Sequence, residues 1–159
     1  CHDPHTTKVV AIDQYSTCHQ GAETVRDIRI TPADIDGDGD TKEGIRAEIS
    51  TLHEKLGEAV MVYTKEVSGK AIVYDAHAYP YFFNDLNENG AADPDEAKFP
   101  NRYQSWTPRL LRAAYNYQFL AKEHGAYAHN PRYAIQLAYD SLEDLSSKAA
   151  IDMAGMTRP

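Results

Sequence analysis

Glu43-Gly44-Ile45-Arg46-Ala47-Glu48-Ile49-Ser50-Thr51-Leu52-His53-Glu54-Lys55-Leu56-Gly57-Glu58-Ala59-Val60-Met61-Val62-Tyr63 is the stretch that decides the fold. Ile45, Ile49, Leu52, Leu56, Val60 and Tyr63 recur at steps of four, three, four, four and three, which lines them along one face of an α-helix. Arg46, Glu48, Glu54, Lys55 and Glu58 fall mostly off that stripe, so one side is built for burial and the other for water. Asp40 and Glu43 are spaced to act as a capping pair at the start. Ser68-Gly69 ends any continuation.

Two further helices share one device. Thr107-Pro108 and Asn130-Pro131 each set a side-chain cap before a proline at the first helical position. The first run, from 109 to about 122, carries Leu110, Leu111, Ala114, Tyr117, Gln118 and Ala121 around one side. The second, ending near 146, steps through Ile135, Ala138, Leu142 and Leu145. Between helices, residues 71–74 read as a short extended run and 24–30 as a loosely alternating strand. Residues 76–105 form a long aromatic loop with prolines at 80, 94 and 100, a length that calls for a ligand or another tether. The last six residues carry no periodicity and read as a loose tail. The expected fold is mainly α: three amphipathic helices with long, ion-tethered loops and an irregular N-terminal segment. The expected units are an irregular Cys-His segment over 1–30 and a helical domain over 31–159.

Composition narrows the function. The 159 residues carry 24 acidic and 16 basic side chains, a formal charge of −8, which argues against a nucleic-acid partner. No stretch has the ~18–20 apolar residues that span a bilayer, and no signal peptide is visible. The chain opens on Cys1 rather than methionine and is expected to be a piece of something longer.

Much of the acidity lies in two loops. Asp85-Leu86-Asn87-Glu88-Asn89-Gly90-Ala91-Ala92-Asp93-Pro94-Asp95-Glu96 matches the twelve-residue calcium-loop template in full. Asp85, Asn87 and Asn89 supply oxygens at positions one, three and five, and Gly90 permits the turn. Ala91 supplies its carbonyl, Asp93 acts at nine, and Glu96 chelates at twelve. The flanks are not helical, so a structural tether is expected rather than a sensor. Asp34, Asp36, Asp38 and Gly39 repeat the first half of the template, but Ile45 occupies position twelve. Asp40 and Glu43 are the nearby substitutes, with Glu48 able to reach back. One or two Ca²⁺ ions are expected.

Both cysteines are followed by histidine, as Cys1-His2 and Cys18-His19. A c-type haem uses C-x-x-C-H, with two thioethers and a histidine on iron. Cys1-His2 is the second half of such a motif, and Tyr15 stands where the first cysteine of the Cys18-His19 motif belongs. A Cys1–Cys18 disulfide and a zinc site built from both pairs are the other readings of these residues.

Cys1-His2-Asp3-Pro4-His5 looks like the tail of a C-x-x-C-H-D-P-H segment. With Asp34-Ile35-Asp36-Gly37-Asp38-Gly39, 74–85, 101–111, 113–118, 128–130 and 139–145, the chain resembles the C-terminal domain of bacterial extracellular or outer-surface multihaem c-type cytochromes. That resemblance implies an exported electron carrier rather than an enzyme, located outside the cell, on its surface or in the periplasm. It implies covalent haem c near Cys1, His2, His5, Cys18 and His19, with His77 and His129 as further axial candidates. Expected partners are other haem-bearing segments, redox proteins, or further copies in an oligomer or filament. The competing expectation is a haem-free, calcium-stabilised surface module with a Cys1–Cys18 disulfide, and a weaker one is a metal-dependent hydrolase using His77, His129 and the acidic loops.

Overall fold

The computed structural model describes residues 5, 6, 8, 11–15 and 17–159. Cys1 and His2 lie outside the described residues, and so does the Cys1 side of any pairing with Cys18.

Helix α1 spans Ile45–Tyr63, α2 Pro108–Lys122 and α4 Pro131–Ser146, with a one-turn helix α3, Ala126–His129, between the last two. The three long helices pack on one another through the stripes the periodicity predicts, except that Leu111, placed on the apolar side of α2, is exposed because the buried face turns through Ala113 instead. Ile45, Leu52, Leu56 and Val60 meet Leu110, Ala113 and Ala114 of α2 and Ile135, Ala138, Leu142 and Leu145 of α4 in one buried cluster. Gly57 lets α2 come close, since a Cβ there would lie 2.9 Å from the Tyr117 ring. The proline-preceding caps form as expected: Thr107 Oγ1 accepts the Leu110 amide at 3.1 Å, and Asn130 Oδ1 accepts that of Tyr133 at 3.2 Å. After α1 the chain makes one wider, π-type turn, Thr64–Ser68, and stops at left-handed Gly69.

Strands β1, Ile72–Tyr74, and β2, Phe82–Asn84, form an antiparallel pair in which Val73 faces Phe83. Phe83 bridges onward to Arg102, and Phe82 O accepts the Tyr103 amide at 2.9 Å. The long aromatic loop is therefore held at its middle by a small sheet. Phe82 and Tyr103 carry it into the core.

Three local expectations are corrected. Residues 24–30 are not a strand. Asp27 Oδ2 accepts the Thr24 amide at 2.7 Å and the Thr24 hydroxyl at 3.0 Å, so a side chain takes donors that a ladder would need. The Asp40–Glu43 cap does not form either. The carbonyls of Ile28 and Arg26 accept the amides of Ile45 and Arg46 at 3.1 and 3.4 Å, satisfying the helix start with backbone. Gly44 permits this crossing, because a Cβ there would strike the Arg26 carbonyl and the Asp27 backbone. Finally, the C-terminal residues are docked. Thr157 N donates to Ile35 O at 3.1 Å, Arg158 pairs with Asp140 at 2.9 Å, and Met153 and Met156 pack on the core.

Because Leu52 is fully buried where the three long helices meet, Leu52→Ala is expected to cost ~2–5 kcal/mol in urea unfolding. The same truncation at exposed Leu111 should stay within ~0.5 kcal/mol. Equal losses at the two positions would contradict the packing described.

Candidate functional site

The loop 85–96 leaves β2 and is clasped at its base. Asn84 and Asn101 exchange amide hydrogen bonds, Asn84 Nδ2 to Asn101 O at 3.0 Å and Asn101 Nδ2 to Asn84 O at 2.8 Å. Asn101 Nδ2 also donates to Glu96 O at 3.0 Å, joining the two ends of the loop. Inside, the side-chain oxygens at positions one, three and five accept backbone amides further along. Asp85 takes the Asn89 and Gly90 amides at 3.2 and 2.8 Å. Asn87 Oδ1 takes Asn89 N at 3.0 Å, and Asn89 Oδ1 takes Ala91 N at 2.8 Å. Glu96 Oε1 reaches back to the amides of Leu86 and Asn87 at 2.8 and 3.2 Å. Gly90 sits at φ +77°, the left-handed geometry that favours glycine. Asp85 and Glu96 are 6% and 5% exposed, and Glu96 Oε2 is buried with no hydrogen-bond partner. Asp93 Oδ2 accepts the side-chain amides of Asn87 and Asn89 at 2.8 and 3.0 Å.

The first acidic loop repeats this pattern, with its first carboxylate taking the amides of positions four and six rather than five and six. Asp34 takes the amides of Gly37 and Gly39 at 2.7 and 2.9 Å. Asp36 Oδ1 takes Asp38 N at 3.1 Å, and Asp38 Oδ1 takes Asp40 N at 2.7 Å. The carboxylate that reaches back to positions two and three is Glu48. Its Oε2 accepts the amides of Ile35 and Asp36 at 3.0 and 3.1 Å. Glu48 is only 1% exposed, and its Oε1 pairs with Arg29 at 2.9 Å. The Arg29 guanidinium also donates to Ala33 O and Glu43 O, strapping loop and helix start together.

Carboxylate oxygens of Asp34, Asp36 and Glu48 lie within 4.8 Å of one another, as do those of Asp36, Asp38 and Glu43. Burial, reinforced by the charges of Asp36, Asp38 and Glu48, pushes the Glu43 carboxyl up to about 7. Burial and the Asp38 charge likewise raise Asp36. Asp34 moves the other way, because hydrogen bonding to the Gly37, Gly39 and Asp38 amides and with Asp36 together outweighs its desolvation. Asp40 stays exposed and accepts the Lys42 amide at 2.8 Å, outside both groups.

Glu48 is the residue that the periodicity argument placed off the stripe. Its signal was present, since it stands three residues after Ile45 and four before Leu52, on the same face. A charge on an apolar face marks a buried polar function, here the closure of the acidic loop.

Among the described residues, no histidine joins a cluster of three potential metal ligands. His5, His77 and His129 are exposed, and His129 Nδ1 lies 3.0 Å from Glu123 Oε1. Cys18 is exposed and free, and His19 beside it is half-buried. The amides of Cys18 and His19 both donate to Tyr15 O, at 3.0 and 2.9 Å, in a tight turn after the short helical turn Ile12–Tyr15. This segment offers one thiol and one adjacent imidazole, which fits single-thioether haem attachment. A second thioether would need a cysteine at Tyr15. His53 is engaged elsewhere: it stacks on Tyr117 at 4.2 Å, and its Nε2–H donates to Tyr117 O at 3.0 Å.

The chain is homologous to polyhaem c-type cytochromes. It is 32% identical over 111 residues to the C-type polyheme cytochrome OmcC of Geobacter sulfurreducens, covering 65% of this chain and 14% of the relative. It is 29% identical over 136 residues to the C-type polyheme cytochrome OmcB of the same species, covering 80% of this chain and 16% of the relative. The chain thus spans a small fraction of the length of the curated relatives it matches. No family model and no solved structure matches it. No helix among the described residues is long and apolar enough to cross a membrane.

Burial lowers the His53 pKa from its ordinary 6.5, against the hydrogen bond to Tyr117 and the Glu54 charge. A depressed value in the folded state means that the unfolded chain binds this proton more readily. The contribution of His53 to stability is therefore complete above about pH 6.5 and is lost as the pH falls through the folded value. Urea midpoints measured from pH 7.5 down to 5.5 should fall more steeply in the wild type than in His53→Gln. Parallel slopes would contradict the assignment.

Proposed function

We propose that this chain serves in electron transfer as a segment of an exported polyhaem c-type cytochrome. The observation that carries the reading is the homology to OmcC and OmcB over most of the chain, together with a Cys-His pair in a turn that leaves the thiol exposed. Cys18 would anchor haem c through one thioether, and His19 is the adjacent axial ligand. Cys1, His2 and His5 form the corresponding N-terminal set, and His77 and His129, both exposed, are the imidazoles open to a haem carried by another segment. Covalent haem supplies an iron that cycles between two oxidation states, so the chain's own work is to hold, orient and shield it. Redox partners are other haem-bearing segments or proteins, with further copies of the chain among them. The setting is the cell surface or periplasm, where a haem-bearing thioether and calcium are both available.

Calcium is the second part of the proposal. The loop 85–96 provides oxygens from Asp85, Asn87, Asn89, Ala91, Asp93 and Glu96. The buried, unpartnered Glu96 Oε2 supports an ion there, because a buried carboxylate oxygen left without a partner is costly. Such an ion pins the aromatic loop beside β2, making the Cys-His segment at 1–30 and the calcium-bearing helical domain at 31–159 the two working units.

Expression with a haem-attachment system tests the first part. An intense Soret band that survives acid–acetone extraction is expected, and it should disappear when Cys1 and Cys18 are both replaced by alanine. A colourless product would count against haem on this chain and favour a haem-free surface module. For the second part, chelation is expected to lower the thermal midpoint by ~5–10 °C, since saturation at 100 times Kd is worth about 2.7 kcal/mol. An unchanged midpoint would count against the ion.

A further inference from the structure

We infer that the first acidic loop is a second divalent-cation site, closed by Glu48 from the first turn of α1 instead of by residue twelve of the template. The inference extends the calcium-loop reading of 85–96, and it rests on three features of the first loop itself.

The first is an orphaned buried oxygen. Asp36 is fully buried, and its Oδ2 has no hydrogen-bond partner. The Asp36 carboxylate belongs to both three-carboxylate groups, so it sits where Asp34, Asp38, Glu43 and Glu48 converge. Glu43 Oε1 is a second buried, unpartnered oxygen there.

The second is charge. Five carboxylates meet, and among the described residues the basic side chains that bond to this loop are Arg29, on Glu48, and Lys55, which donates to the Asp36 carbonyl. Neither hydrogen-bonds to or pairs with the Asp36 carboxylate. A buried anion needs pairing or metal coordination, and a small dication placed between the two groups supplies it.

The third is the manner of closure. Glu48 Oε2 holds the amides of positions two and three as Glu96 Oε1 does in the other loop. Three residues of displacement along the chain are absorbed because α1 begins at Ile45, and its first turn swings residue 48 back over the loop. An all-oxygen set with no sulfur or imidazole selects a hard cation, and an irregular, carboxylate-rich loop suits Ca²⁺ better than octahedral Mg²⁺. Asp40 takes no part. The ion would tie the segment before residue 40 directly to the helical bundle.

Calorimetric titration of the metal-free, full 159-residue chain with CaCl₂ tests the site. Two ions are expected in the wild type. Glu48→Gln and Asp36→Asn should each remove one, and Glu96→Gln should remove the other. Because residues 36 and 48 are buried, Asp38→Asn, at an exposed position, is the companion variant. With the helical circular dichroism unchanged, it should weaken one of the two affinities at least tenfold. Uptake of a single ion that Glu96→Gln abolishes would overturn the second site and leave the 85–96 reading standing. Uptake of a single ion that survives Glu96→Gln and is lost in Asp38→Asn would support this site and sink the other. Wild-type affinities in Asp38→Asn, or no uptake at all, would overturn the inference.

Discussion

The buried carboxylate of Glu48 is the interaction on which the N-terminal half depends. It accepts two loop amides on one oxygen and the Arg29 guanidinium on the other. Through these bonds it fixes Ile35 in the core and sets the path of 26–40 over the start of α1. Taking a charge out of water is expensive, and breaking such a pair by removing one partner costs ~3–5 kcal/mol because the other is stranded. The chain accepts that cost where a solvated surface glutamate would have been easier. The return is a loop, a helix N-terminus and the C-terminal residues brought to one place: Thr157 bonds Ile35 O, and Gly37 lies against Gly155, where a Cβ would come within 2.7 Å of its backbone.

The helical framework was readable because its information is local. The stripe from Ile45 to Tyr63, the two proline-preceding caps and the stop at Gly69 each follow from a few neighbouring residues, and the structure keeps all of them. What was not readable depends on partners far along the chain. The start of α1 is satisfied by backbone from 26 and 28, which no capping pattern encodes. The C-terminal residues have no periodicity because they dock through scattered contacts and a single ion pair. The alternation in 24–30 was real, but Asp27 had a nearer use for the donors. The one-turn helix Ala126–His129 is too short to leave a pattern.

The candidate site divides in the same way. The loop 85–96 was legible as a full template within twelve residues, and its amide ladder follows that template. The first loop was legible only in its first half, because its closing carboxylate arrives from a helix. The acidity that makes the chain carry −8 is thereby concentrated at two points, and two bound Ca²⁺ ions would halve that charge. The haem chemistry is a different matter. It rests on homology and on Cys-His pairs, and the described residues bring no two histidines together with Cys18.

Hard cations bound in the two pseudo-equivalent acidic loops, as proposed, would fix the segment before α1 and the aromatic loop onto one helical bundle. The most direct test is anomalous X-ray diffraction, at long wavelength, from crystals grown with CaCl₂. Two anomalous peaks are expected. One lies within about 2.3–2.6 Å of oxygens from Asp34, Asp36 and Glu48, and the other within the same distance of oxygens from Asp85 and Glu96. A map with no peak at the first loop, while Glu48 still holds the amides of Ile35 and Asp36, would contradict it.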